Sequence, residues 1–289
     1  MIEGVGPSCQ WLPAGAWATV LDFLVERYPG VGGAAWRSRM RKGEVADETG
    51  RRLDAESPYR AGACVFYYRE IESEQRIPFD ESVLYRDENI LVADKPHFLP
   101  VAPAGRFLRE TLLVRLRRRW ELEDLAPVHR IDRETAGVVM FSLNAATRGR
   151  YASLFQERRV GKIYEAIGGA PRAGLSLPAT RRSRIVTGEP FFRMKEVGGE
   201  PNSETRVEAF DAAGDVARYR LSPVTGRKHQ LRLHLSALGA PIVNDRLYPV
   251  VRLAGDDDFS RPLKLLAKSI SFRDPLTGRE RYFESGRAL

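Results

Sequence analysis

Apolar positions recur along this chain in two rhythms, one helical and one alternating, and together they lay out its elements. Val20, Leu21, Leu24 and Val25 fall on one face at helical spacing. They follow a Thr19–Asp22 capping pair and precede Pro29-Gly30, so a first helix is predicted there. Residues 34–42 predict a second helix carrying Arg37, Arg39, Arg41 and Lys42 beside Trp36 and Met40, with Gly43 placed to stop it. The pattern then changes to Val45, a turn at 48–50, Leu53 and a strand at 64–68.

Beyond a polar stretch containing Pro78, the run 83–85, a turn at 87–89 and the run 90–93 predict a hairpin. A helix is predicted over 110–120, with Leu112, Leu113 and Leu116 inward and Arg115, Arg117, Arg118 and Arg119 facing water in slight preference to reaching the phosphates of a polyanion. Short strands follow at 127–128 and 138–141, then a helix at 145–158 and a strand at 162–164. Two strands within 205–221 flank a turn at 213–215. The last helix runs from about His229, with Leu231, Leu235 and Leu238 on one face, to Gly239 and Pro241. Hairpins mix with helices without a repeated βαβ unit, which predicts an α+β fold. Residues 1–70 read as a small domain, 71–82 as a linker and 83–289 as the main domain.

Charge adds a partner class. With 46 Lys and Arg against 38 Asp and Glu, the net charge of +8 favours a polyanion. Cys9 and Cys64 stand far apart with no C-x-x-C, so separate thiols in a reducing cytoplasm are expected, with neither a disulfide framework nor a zinc site. The amino terminus lacks a basic stretch followed by an apolar core, and no apolar run approaches membrane-spanning length. A soluble monomer meets every requirement of the sequence.

The chemistry concentrates at His129-Arg130-Ile131-Asp132-Arg133-Glu134-Thr135-Ala136-Gly137, a charged loop between apolar, β-branched flanks. Buried strands on both sides would hold such a loop rigidly, as a reacting carboxylate requires. A solvated loop of weak ion pairs is the competing reading of this segment alone. A kinase is set aside, because Ile131 interrupts the His-Arg-Asp order and no G-x-G-x-x-G or Asp-Phe-Gly occurs.

The loop resembles the active-site motif of the RluA-type pseudouridine synthases, HR-[LI]-D-[RK]-x-[TS]-x-G. Three further segments resemble family elements in the family's order: Asp94-Lys95-Pro96, Lys162-Ile163-Tyr164-Glu165-Ala166, and Gly226 to His234 with its G-R-x-H-Q-L-R-x-H pattern. The likeness runs from about Leu84 to about Phe283. Ala136 stands where Ser is common, Lys228 where Thr is common, and Leu266 where a His is frequent. None of these is the reacting residue.

The resemblance implies a mixed, mainly antiparallel sheet with flanking helices, and an isomerase that turns specific uridines of ribosomal or transfer RNA into pseudouridine without cofactor or metal. It implies Asp132 as the catalytic carboxylate, Arg232 as the guanidinium that keeps it ionised, and Tyr164 as the ring that stacks on the flipped base. Arg130, Arg133, His129, Lys95, Arg227 and His229 are expected at the rim, positioning phosphates or the loop itself. Asp132 could attack uracil carbon 6, attack the anomeric carbon, or remove a ribose proton. The amino-terminal residues resemble, more loosely, the small RNA-binding module shared with a ribosomal small-subunit protein. Two rivals remain: a non-catalytic RNA-binding protein, and a glycoside hydrolase using Asp132 and Glu134 as its carboxylate pair, although such near neighbours are poorly placed to flank a sugar.

Overall fold

A computed structural model describes residues 1–71, 73–171, 176–252, 255 and 257–289. The chain divides into two compact units, Met1–Glu74 with Pro103–Arg109, and Gln75–Ala102 with Glu110–Leu289. Chain order alone would assign Pro103–Arg109 to the second. Its backbone decides otherwise, because the amides of Leu108 and Arg109 both donate to the Glu74 carboxylate.

The first unit contains β1 (Ser8–Trp11), α1 (Val20–Arg27), α2 (Gly33–Arg41), β2 (Val45–Asp47) and β3 (Cys64–Tyr67), with the strands in the order β1-β3-β2. Helix α1 begins with the expected capping box: the Thr19 side chain accepts from the Asp22 amide, and Asp22 accepts from the Thr19 amide. Phe23, Leu24, Trp36 and Val45 pack into its core. In α2, Arg39 is buried against Trp36 and Glu70, so the cationic surface falls to Arg37, Arg41 and Lys42.

Cys9 and Cys64 are joined in a disulfide, which corrects the expectation of separate thiols. Strand register is the cause. Cys9 faces Phe66 and Trp11 faces Cys64, so the cysteines stand diagonally across one face with Cα atoms 6.4 Å apart.

The second unit contains β4 (Ser82–Arg86), β5 (Ile90–Lys95), α3 (Leu112–Trp120), β6 (Ala126–Pro127), β7 (Ala136–Ser142), α4 (Arg148–Gln156), β8 (Gly161–Gly169) and β9 (Ala179–Thr187). It continues with β10 (Met194–Val197), β11 (Ser203–Ala213), β12 (Val216–Pro223), α5 (Gln230–Ala237), β13 (Leu265–Arg273) and β14 (Glu280–Glu284). Its eleven strands form one sheet, β10-β9-β11-β12-β8-β13-β7-β5-β4, with β14 on β13 and β6 on β7. Among the described residues the β7–β13 pairing is parallel and the other ladders of this sheet are antiparallel. This is the mixed α+β architecture read from the sequence.

Strands β5 and β7 are buried along their whole length, which explains why they read as continuous apolar runs rather than alternating ones. Helix α3 starts on a Thr111 cap and buries Leu112, Leu113 and Leu116. Two of its arginines depart from the expectation of water, and the half-buried Arg117 donates to the Leu125 carbonyl at 2.8 Å. Arg115 turns inward to Glu110, Glu81 and the carbonyls of Ile77 and Phe79.

The close approach of β7 to β13 is possible at one point only for glycine. Gly137 has φ +112°, and a Cβ there would lie 2.2 Å from the Ala267 carbonyl oxygen. Gly137→Ala is expected to cost at least about 2 kcal/mol, from backbone strain plus collision. A thermal melt should show it as a drop of roughly 4–8 °C.

Candidate active site

Asp132 sits in the loop between β6 and β7, where the Thr135 amide donates to its carbonyl in a tight turn. The loop is tied from below. Lys95, fully buried at the end of β5, donates to the carbonyls of Pro96, Leu99 and Arg133, and the His97 ring donates through Nδ1 to the Glu134 carbonyl. Burial outweighs the attraction of Glu134 and Asp132 and pushes the Lys95 ammonium down to about 7.

Helix α5 supplies the guanidinium. Its first residue, Gln230, uses both ends of its amide: Oε1 accepts from Arg227 and Thr225, and Nε2 donates to Glu204 and Thr205. One turn later His234 meets Thr205 through Nδ1 and Ser183 and Ser203 through Nε2. These bonds fix α5 against β9 and β11, while Leu231 and Leu235 seal its apolar face.

So mounted, Arg232 is buried to 1% exposure. Its Nε and Nη2 make a two-pronged pair with Asp245, at 2.8 and 2.7 Å. Its Nη1 reaches Asp132 and Glu134, each at 3.4 Å. Burial alone would lower the Arg232 pKa, but Asp245, with Asp132 and Glu134, holds it above its ordinary value. Glu134 lies below the usual carboxylate range, because Arg232 and Arg133 outweigh its desolvation.

Asp132, Tyr164 and Arg232 line one cavity, together with Arg130, Lys162, Arg227 and His229. Burial, helped by the Asp132 charge, pushes the Tyr164 phenol up, so the side chain stays a neutral phenol. Burial also lowers the His229 pKa against the pull of Asp132.

Three residues expected at the rim do not line the cavity. Lys95 lies beneath the loop, because converging carbonyls satisfy all three of its protons. His129 stacks on Phe155 at 4.5 Å and accepts the Met140 amide on Nε2, and burial pushes its pKa down to about 3. Arg133 is engaged by Asp257 and Glu134. Arg130, Arg227 and His229 do line the cavity, Arg227 donating to the Asn202 carbonyl and His229 meeting the Tyr248 hydroxyl.

Asp245 was not anticipated, and neither was a place for Lys162 in the cavity wall. The first belongs to no matched motif; the second stood inside one, two residues before Tyr164. Two of the noted departures prove to be partners, since Leu266 faces Ala136 in the β7–β13 register and both are fully buried. An apolar residue on one strand thus meets an apolar residue on the other, leaving no polar group unpaired.

Comparison with known proteins agrees with this geometry. Residues 89–237 match the family described as RNA pseudouridylate synthase. The chain is 31% identical over 236 residues to an uncharacterized RNA pseudouridine synthase of Synechocystis sp., covering 79% of each protein. It is 35% identical over 170 residues to the dual-specificity RNA pseudouridine synthase RluA of Salmonella typhimurium, covering 57% of this chain and 76% of that one. Over 174 residues it is 34% identical to human pseudouridylate synthase RPUSD2, covering 57% of this chain but 30% of that longer protein. The solved structure of human RNA pseudouridylate synthase domain containing 1 superposes with a TM-score of 0.59 at 28% identity, covering 74% of this chain and 86% of the other. The chain belongs to the RluA-type pseudouridine synthase family, isomerases that act on RNA.

Proposed function

We propose that this protein isomerises specific uridines of structured RNA, in the large ribosomal subunit or in transfer RNA, with Asp132 as the reacting carboxylate. One observation carries the reading: Asp132 and Arg232, 100 residues apart, meet in a cavity that Tyr164 also lines. The reaction breaks the bond from ribose carbon 1′ to base N1 and forms one to carbon 5, which loses its proton while N1 gains one. Each of the three routes open to Asp132 uses the same anion beside the sugar. Arg232, already neutralised by Asp245, steadies that anion without clamping it, as the 3.4 Å separation indicates. Tyr164 offers a face on which a uracil swung out of the RNA can rest.

Chemical mapping of pseudouridine in RNA from a strain lacking the gene, and from the same strain carrying it back, tests the proposal and names the target. Sites lost on deletion and restored by the wild-type gene support it; an unchanged map defeats it.

The small amino-terminal unit is assigned a holding role, supported by the exposed cations Arg37 and Arg41 on α2. Reversing both to Glu is expected to weaken RNA binding about tenfold and to flatten its salt dependence. Turnover at saturating RNA should not change. Filter-binding titrations across a salt series check this.

A further inference from the structure

The cations of the second unit's site differ in how their charge is met. Arg232 and Arg133 are held by carboxylates, and Lys95 by three carbonyls. Arg130 and Arg227 also line the cavity with no ion pair among the described residues but are exposed, whereas Lys162 is placed differently. Among the described residues it has no ion pair, and its ammonium donates to the Thr225 carbonyl at 3.5 Å, the outer limit of a hydrogen bond. Yet it is half-buried and lines the cavity with Asp132 and Tyr164.

Burial, aided by nearby Arg158, lowers the Lys162 pKa, so the free protein carries this charge at a cost that an incoming anion would relieve. A neutral oxygen would add little, since Thr225 already supplies one. Strand geometry narrows the ligand further. Lys162 and Tyr164 are two residues apart on β8, hence on one face and roughly 6.6 Å apart along the strand. That spacing is on the scale of the sugar that separates a nucleobase from its phosphate.

We propose that Lys162 seats the phosphate attached to the ribose of the target uridine while Tyr164 meets its base. The assignment rests on the uridine-isomerising reading above, and it gives the K-x-Y spacing a physical purpose: one strand face reads charge and ring together.

The test is a binding titration by fluorescence anisotropy, across a salt series, with a hairpin RNA bearing a single loop uridine. A second hairpin replaces the phosphodiester on the 5′ side of that uridine with an uncharged methylphosphonate. K162M is expected to bind about tenfold more weakly and to lower the log–log salt slope by about 0.7, the release expected for one single-strand phosphate contact. The methylphosphonate should do the same to the wild type and add little to K162M, while K162R stays near wild type. Losses that multiply when both changes are made overturn the proposal, as does a K162M slope equal to wild type, the sign of a base contact or a packing role.

If K162M fails to fold, the wild type against the two hairpins still decides, since equal affinity for both overturns the assignment. Binding is read without turnover. A wild type that binds the hairpin but forms no pseudouridine in any RNA would therefore count against the proposed function, while the titration alone decides whether Lys162 seats a phosphate.

Discussion

Asp132→Asn is expected to cut pseudouridine formation by roughly a thousandfold or more while leaving the melting temperature and RNA affinity close to wild type. The asymmetry follows from the charges around it. Arg232 faces three carboxylates, Asp132, Glu134 and Asp245, and the tight pair is with Asp245. Removing the Asp132 charge therefore leaves no buried cation stranded, and the amide keeps the size and one acceptor oxygen of the carboxylate. What disappears is the anion beside the sugar. Single-turnover assays on an RNA whose site has been mapped, together with a melt of each protein, measure both halves. Residual activity within tenfold of wild type would remove Asp132 from its assigned role, and a large fall in melting temperature would show that its charge holds the loop.

The second large effect is expected at Asp245. Asp245→Asn takes the paired charge from an arginine at 1% exposure, and breaking a buried pair on one side costs about 3–5 kcal/mol. The same carboxylate also accepts the amides of Leu247 and Tyr248, so the turn after Asn244 should loosen with it. Freed from its fork, Arg232 can swing its full charge onto Asp132, and turnover should fall about ten- to a hundredfold even in folded protein. Urea unfolding of Asp245→Asn, Arg232→Met and the double variant provides the check. The double variant should be markedly more stable than the sum of the singles implies, because it leaves no lone charge behind. Strict additivity would mean that the two side chains do not act as a unit.

Much of this arrangement was legible in the sequence where the signal is local. Thr19 and Asp22 announced the start of α1, the apolar run of β5 announced one arm of a hairpin and that of β7 a buried strand, and the charged loop before β7 stood out against them. Residues whose role depends on distant partners were not legible. Lys95 closes a buried strand, and a lysine there reads as surfacing until the carbonyls of Leu99 and Arg133 are seen converging on it. Asp245 lies in a loop 13 residues after Arg232, between Asn244 and Arg246, and belongs to none of the motifs that marked the site. Cys9 and Cys64, 55 residues apart, meet only through the register of β1 and β3. Arg115 belongs to the same group, since its acceptors at Ile77 and Phe79 come from another part of the chain.

The position of β13 bears on how this protein comes into being. It is made after both β7 and β8, yet it lies between β7, which follows Asp132, and β8, which carries Tyr164. A growing chain that has not yet extruded residues beyond about Leu265 has a gap where its sheet should be continuous, with the aspartate on one bank and the tyrosine on the other. Such long-range closure makes for slow folding and a period in which sheet edges stand open to wrong partners. A nascent chain, even one that has already made every residue lining the cavity except Leu265, lacks the strand that joins the two banks of that cavity until β13 pairs with both.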